Sequence, residues 1–231
     1  MISAATLPCS AHAQDVVIKP TDYQRSFVVN PFYNDMARDA LKNKPDRFDF
    51  MRFRSLYSRT RQYDPVGEKT LDRLNKFAYT ALHHQYDFER ESALNSYKEL
   101  VSDHLANLAV VMQALSLARE DKRFGNPEFF EWVREGLVKT VVISGDGYTL
   151  RGAYDVITMQ EEILLFNRLG FQQIDTQAVK EHLIYYNMHD VKDISTGKTR
   201  TVFVNTSIPM RYLEAVEEEA EQFYSLDIRK Q

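Results

Sequence analysis

A chain of 231 residues with 44% hydrophobic and 27% charged side chains can bury one large core or two small ones, which argues against a disordered or fibrous protein. Its formal charge of -4 at pH 7 supplies no field that would gather a polyanion, so nucleic acid is not expected as a partner. No apolar run approaches the roughly 20 residues of a membrane-spanning helix, and no transmembrane segment is expected.

Residues 1–13 are small and apolar and end in Ala11, His12 and Ala13, the pattern that signal peptidase reads before a mature Gln14. They read as the remnant of a signal peptide that starts upstream, which implies export to the periplasm or the exterior; a disordered cytoplasmic N-terminus is the plain alternative. The single cysteine, Cys9, falls inside this segment, so the mature chain would have no thiol and no disulfide. Residues 14–30 form an extended lead.

Residues 31–143 read as a helical region. A first short helix over 31–42 would turn Phe32, Met36 and Leu41 inward, and a second over 46–57 puts Phe50, Phe53 and Tyr57 on one face. Arg54 shares that face, four residues after Phe50 and three before Tyr57, so its guanidinium must either snorkel to water or meet an acid. Arg47, Arg52, Arg59 and Arg61, with Phe48 and Tyr63, form a basic and aromatic neighbourhood that is most simply a solvated face. From 70 to 138 the apolar period marks four more helices, one with Leu71, Leu74, Ala78, Ala81 and Leu82 and another with Leu105, Leu108, Met112 and Leu115. Short polar joints between them predict antiparallel helical hairpins.

Residues 144–231 carry strand, helix and hairpin signals and complete one unit with the helical region. Ser144, Gly145, Asp146 and Gly147 make a turn, residues 153–157 a short strand, and Thr158 begins a helix with Glu161 at capping-box spacing. Ile163, Leu164 and Phe166 give that helix its apolar side, and Gly170 stops it. Its adjacent acids, about 100° apart, are the expected partners of Arg54: Glu161 or Glu162 first, Asp155 next. Residues 171–180, 183–194 and 199–207 read as strands, the last two joined by a turn over 195–198 in which Gly197 takes positive φ. Pro209 opens a final helix with Leu213, Val216, Ala220 and Phe223 inward and Glu214, Glu217, Glu218 and Glu221 in water. The expected fold class is α+β: an N-terminal helical-hairpin array packed with a small C-terminal antiparallel β-sheet and a terminal helix.

Three segments carry a likeness. FDFMRFRSLYSRTRQYDP (48–65), SGDG followed by AYDVITMQEE (144–147 and 153–162) and TGKTRTVFVNTS (196–207) occur in order, and with them the chain resembles a family of exported bacterial proteins known as domain-of-unknown-function family forty-nine nineteen. The pattern matches Arg54 and Tyr57 in the first segment, Gly145, Asp146 and Gly147 in the second, and Phe203 and Asn205 in the third. The resemblance implies an exported address and a shape; it brings no activity, ligand or catalytic residue.

The residues assemble no recognisable catalytic pattern. Ser144 lacks a G-x-S-x-G elbow, and SGDG lacks the lysine and glycine spacing of a phosphate loop. His83 and His84 diverge on their helix, and His182 and His189 point to opposite faces of an extended segment. Asp146, Asp155, Glu161 and Glu162 could hold a divalent cation or act as acid and base, but the EF-hand spacing is absent and turn plus cap is the simpler reading. No cofactor and no metal is therefore expected, and no catalytic residue is assigned. The binding candidates are Arg54, Tyr57, Asp146, Arg151, His189 and Asn205. The favoured function is a non-catalytic exported binding or interaction module for a protein, peptide or glycan. The alternative is a hydrolase whose site lies where the Asp146 loop meets Arg54 and His189.

Overall fold

The computed structural model describes residues 31–228, with side chains placed for 32–218. Residues 1–30, on which the expected signal-peptide remnant, cleavage site and extended lead fall, lie outside these residues, as do Ala220, Glu221 and Phe223 as side chains.

Among the described residues six α-helices precede the sheet: α1 (Pro31–Asn43), α2 (Phe50–Tyr57), α3 (Glu68–His83), α4 (Asp87–Asp103), α5 (Leu108–Glu120) and α6 (Pro127–Val142). Short polar side chains start several of them by accepting from the free amides of the first turn. Asp49 takes the Arg52 amide, Asn107 those of Ala109 and Val110, and Asn126 those of Glu128 and Phe129, with Pro127 at the first helical position. The Asp49 cap starts α2 at Phe50 rather than at residue 46. In α1 the inward face is Tyr33, Ala37 and Ala40, while Phe32 and Leu41, expected inside, are 61% and 45% exposed. Tyr33 decides the rotation, because its ring stacks on Phe53 of α2 at 5.0 Å and its hydroxyl donates to the Asp103 carbonyl of α4. The helices share one core that includes Phe53, Tyr57, Leu74, Tyr97, Leu105, Leu108 and Leu137, with Leu82 and Met112 of the expected apolar stripes left at its margin.

After α6 come β1 (Tyr154–Asp155), α7 (Gln160–Leu169), β2 (Phe171–Glu181), β3 (Ile184–Asp193), β4 (Thr199–Asn205) and α8 (Ser207–Ile228), so the architecture is α+β. The sheet order is β1-β4-β3-β2. β2, β3 and β4 form an antiparallel meander, and the two-residue β1 adds a parallel pair against β4, Tyr154 opposite Val204. Gly170 at φ +71° ends α7, and Gly197 at the same φ turns β3 into β4. Val191, Val202 and Val204 of the sheet pack against Leu165 and Phe166 of α7 and Val141 of α6, a second core beside the first. α8 starts at Ser207, two residues before Pro209; Val216, expected inside, is exposed, and Glu214 pairs with Lys180 and Tyr185 of the hairpin. Among the described residues no helix is long and apolar enough to cross a membrane.

The loop before β1 is folded on its own backbone. The amides of Asp146 and Gly147 both donate to the Gly152 carbonyl, at 2.9 and 2.7 Å, and Gly147 in turn accepts from the Phe203 amide of β4. A β-carbon at Gly145 would run into the carbonyl oxygens of Gly152 and Ala153, and backbone cannot swing aside as a side chain can. Gly145→Ala is therefore expected to lose about 1–3 kcal/mol in urea unfolding. A loss under about 0.5 kcal/mol, the range of an ordinary surface substitution, would remove the packing argument.

Candidate functional site

α7 is the element on which the polar interior converges. Its inward face is Glu161, Glu162, Leu165 and Phe166, two i, i+4 pairs, so Ile163, expected inside, is 59% exposed. The expected capping box does not form: among the described residues the hydroxyl of Thr158 has no hydrogen-bond partner, and the Glu161 carboxylate accepts from the Ile157 amide at 2.7 Å. The two acids are side by side in sequence yet serve different partners, since about 100° of helical rotation aims them at different neighbours.

Glu161, with no exposed surface, faces Arg54 of α2, which is 5% exposed. The guanidinium grips it in a fork, Nε to Oε1 at 3.3 Å and Nη2 to Oε2 at 2.6 Å. Two further donors are taken: Nη1 donates to Thr140 Oγ1 of α6 at 3.2 Å and Nη2 to the Asp155 carbonyl of β1 at 3.2 Å. One buried ion pair thus fastens α2, α6, β1 and α7 together. The expected pairing of Arg54 with an acid of this helix is observed, with Glu161 as the acid.

Glu162, 5% exposed, faces the sheet. Its carboxylate accepts both contacts of the Asn187 amide, at 2.9 and 3.1 Å, and lies 2.6 Å from His189 Nε2. The other imidazole nitrogen, Nδ1, lies 2.9 Å from Thr176 Oγ1 on β2, and that hydroxyl accepts from Gln173 Nε2 at 2.7 Å. With the imidazole proton on Nε2, every contact in this chain is satisfied: Gln173 to Thr176, Thr176 to His189, His189 to Glu162. Asn187, His189 and Val191 alternate along β3 and so share the face turned to α7, and the His189 ring meets Phe166 edge to face at 4.7 Å.

A hydroxyl, an imidazole and a carboxylate in that order match the first three parts of a nucleophilic site. Among the described residues no three or more His, Cys, Asp or Glu side chains are grouped so as to hold a metal ion.

The other candidates sit apart from this chain. Tyr57 Oη lies 2.9 Å from His104 Nδ1 and accepts from the Asp64 amide at 3.4 Å, deep in the helical core. Burial pushes the Tyr57 hydroxyl well above its ordinary range, and burial together with Arg73 pulls His104 down to about 4 against a weaker upward pull from Asp64. Asp146 accepts from the Tyr148 amide of its own loop at 2.9 Å, and Arg151 is exposed on that loop. Asn205 donates to Asp155 Oδ1 at 2.9 Å and accepts from the Ser207 amide and hydroxyl, which ties the end of β4 to β1 and to the start of α8. Arg54 and His189 are therefore brought to one helix but to separate acids, and the loop of Asp146 is closed by its own backbone.

The sequence reading missed Thr176, Asn187, His104 and the partition of the two glutamates. A signal for Thr176 existed: counting outward from a two-residue turn at His182 and Leu183 puts Thr176 opposite His189. The segments 48–65, 144–162 and 196–207 meet at one place. Arg54 of the first reaches Asp155 and Glu161 of the second, Tyr63 of the first donates to the Ile157 carbonyl, and Asn205 of the third donates to Asp155. The chain matches no protein-family model, no curated protein and no solved structure.

Proposed function

We propose that the protein is an exported binding or interaction module without catalytic activity. The observation that carries this reading is the commitment of Arg54 and His189, the side chains best suited to chemistry, to internal partners: Glu161 holds one and Glu162 the other, both out of water. Groups fixed in this way hold α7 to the helices and to the sheet and present no charge to a substrate. Export is supported by Ala11, His12 and Ala13 before Gln14, by the confinement of the single thiol to Cys9, and by the likeness of three ordered segments to an exported family. A protein, peptide or glycan is the partner class.

A second reading is a hydrolase, favoured by the order Thr176, His189, Glu162 at 2.9 and 2.6 Å. Thr176 would attack an acyl carbon while His189 took the hydroxyl proton at Nδ1 and passed it to the alcohol or amine leaving as its acyl bond breaks, water would then hydrolyse the acyl-threonine, and Glu162 would hold the imidazole in register. Purified protein starting at Gln14, assayed against ester, phosphate and peptide substrates, separates the two, with Thr176→Val and Asp146→Ala as companions. No turnover above the variants is expected. Turnover abolished by Thr176→Val would establish the hydrolase in place of the module.

A further inference from the structure

We propose that a cleft between α2, α6 and α7 binds a small ring-bearing carboxylate, an inference that rests on the binding-module reading and gives it a ligand class. The cleft has a volume of about 290 Å³ and is lined by Phe50, Trp132, Glu135, Gly136, Lys139 and Arg168 among others. That size stands at the lower end of ligand pockets, which start near 300 Å³, so it suits one ring rather than an extended chain.

Its floor is aromatic and built. Phe50 and Trp132 meet edge to face at 5.0 Å, and Gly136, in the middle of the 16-residue α6, lies directly beneath the Phe50 ring. A β-carbon at Gly136 would be driven into that ring. Glycine inside a helix is destabilising relative to alanine, and the approach of Phe50 to the helix backbone is what it allows here.

The rim is cationic. Lys139 stands four residues after Glu135 on α6, a spacing that favours an ion pair, yet among the described residues Lys139 has no ion-pair partner. Glu135 is taken instead by Arg134, and Arg168 of α7 approaches its other oxygen only to 3.9 Å. Two exposed cations therefore overlook an aromatic floor with one acid already engaged, in a chain whose formal charge is -4. A carboxylate satisfies the Arg168 fork and the Lys139 ammonium, and a ring fills the space above Phe50 and Trp132. A sugar acid and an aromatic acid share this chemistry.

Trp132 is the single tryptophan of the chain, so its emission reports on this cleft alone. Protein starting at Gln14 would be titrated with glucuronate and with benzoate, and in parallel with acetate, glucose and inorganic phosphate. The expected result is a saturable change in Trp132 emission with glucuronate, benzoate or both, at least about tenfold tighter than with the other three. Loss of one charge-assisted contact corresponds to about tenfold in affinity, so Arg168→Ala and Lys139→Ala are each expected to weaken binding by about that factor. Both residues are exposed, so these variants keep the fold. A response to glucuronate alone identifies a sugar acid, and one to benzoate alone an aromatic acid. Absence of saturation with both, or equal affinity for acetate or phosphate, overturns the proposal. A thermal shift by another ligand without any change in Trp132 emission would overturn the cleft and leave the module standing. Substrate turnover abolished by Thr176→Val would overturn the module and leave the cleft to its own titration.

Discussion

Arg54→Ala is expected to cost about 3–5 kcal/mol in urea unfolding, the cost of removing one partner of a buried ion pair. The substitution strands the Glu161 carboxylate, which has no exposed surface and would keep only the Ile157 amide as a partner. It also leaves Thr140 Oγ1 and the Asp155 carbonyl without the donors they now accept from. Arg54→Lys is expected to recover little, because an ammonium reaches one oxygen where the guanidinium holds two at 3.3 and 2.6 Å. In a double-mutant cycle the coupling should appear with Glu161→Gln and be much smaller with Glu162→Gln, whose partners are His189 and Asn187. A loss under about 1 kcal/mol, with no coupling to Glu161, would show that the pair does not hold the fold and would return Arg54 to the list of ligand-binding residues.

Acid should destabilise the protein through His104 well before most carboxylates titrate. Burial holds the folded imidazole neutral with its pKa lowered from 6.5 to about 4, while in the unfolded chain it takes a proton near 6.5. Between those values the unfolded state binds more protons. Stability is therefore full above about pH 6.5, falls as the pH drops through this window, and levels off below about 4. The loss over the window is on the order of 3 kcal/mol, at 1.36 kcal/mol for each pH unit. Asp103, whose carboxyl is raised by burial and then by Glu99, works in the opposite sense at the acid end. Urea midpoints at pH 7, 5.5 and 4 for the parent and for His104→Gln test the assignment, and the slope with pH matters, not the offset between the proteins. An unchanged slope in His104→Gln would show that another group carries the acid sensitivity. Tyr57→Phe, which removes the hydroxyl 2.9 Å from His104 Nδ1, is expected to lower stability at neutral pH while leaving the window in place.

Much of the helical half was legible because its determinants are local. Apolar residues at helical spacing mark the buried faces of α3 to α6. Gly170 and Gly197 fix their turns by a conformation that glycine adopts without strain. Arg54 was legible as a buried charge in need of an acid, because its place between Phe50 and Tyr57 is set by the period of the helix.

Other features depended on neighbours distant in the chain. Periodicity placed Ile163 inside α7, but Arg54 and His189 approach from two sides and draw Glu161 and Glu162 inward, which turns Ile163 out. In α1 the ring of Phe53 selects Tyr33 over Phe32. The chain from Thr176 to Glu162 exists only once β2 and β3 pair in register and α7 lies across them. The sequence by itself determined the α+β class, the glycine turns and the need of Arg54 for an acid, because each is set by local backbone geometry or by the cost of burying a lone charge. Only the tertiary structure decided which acid answers Arg54, which answers His189, and which face of α7 is buried, because two carboxylates about 100° apart on one helix are equivalent until their surroundings differ.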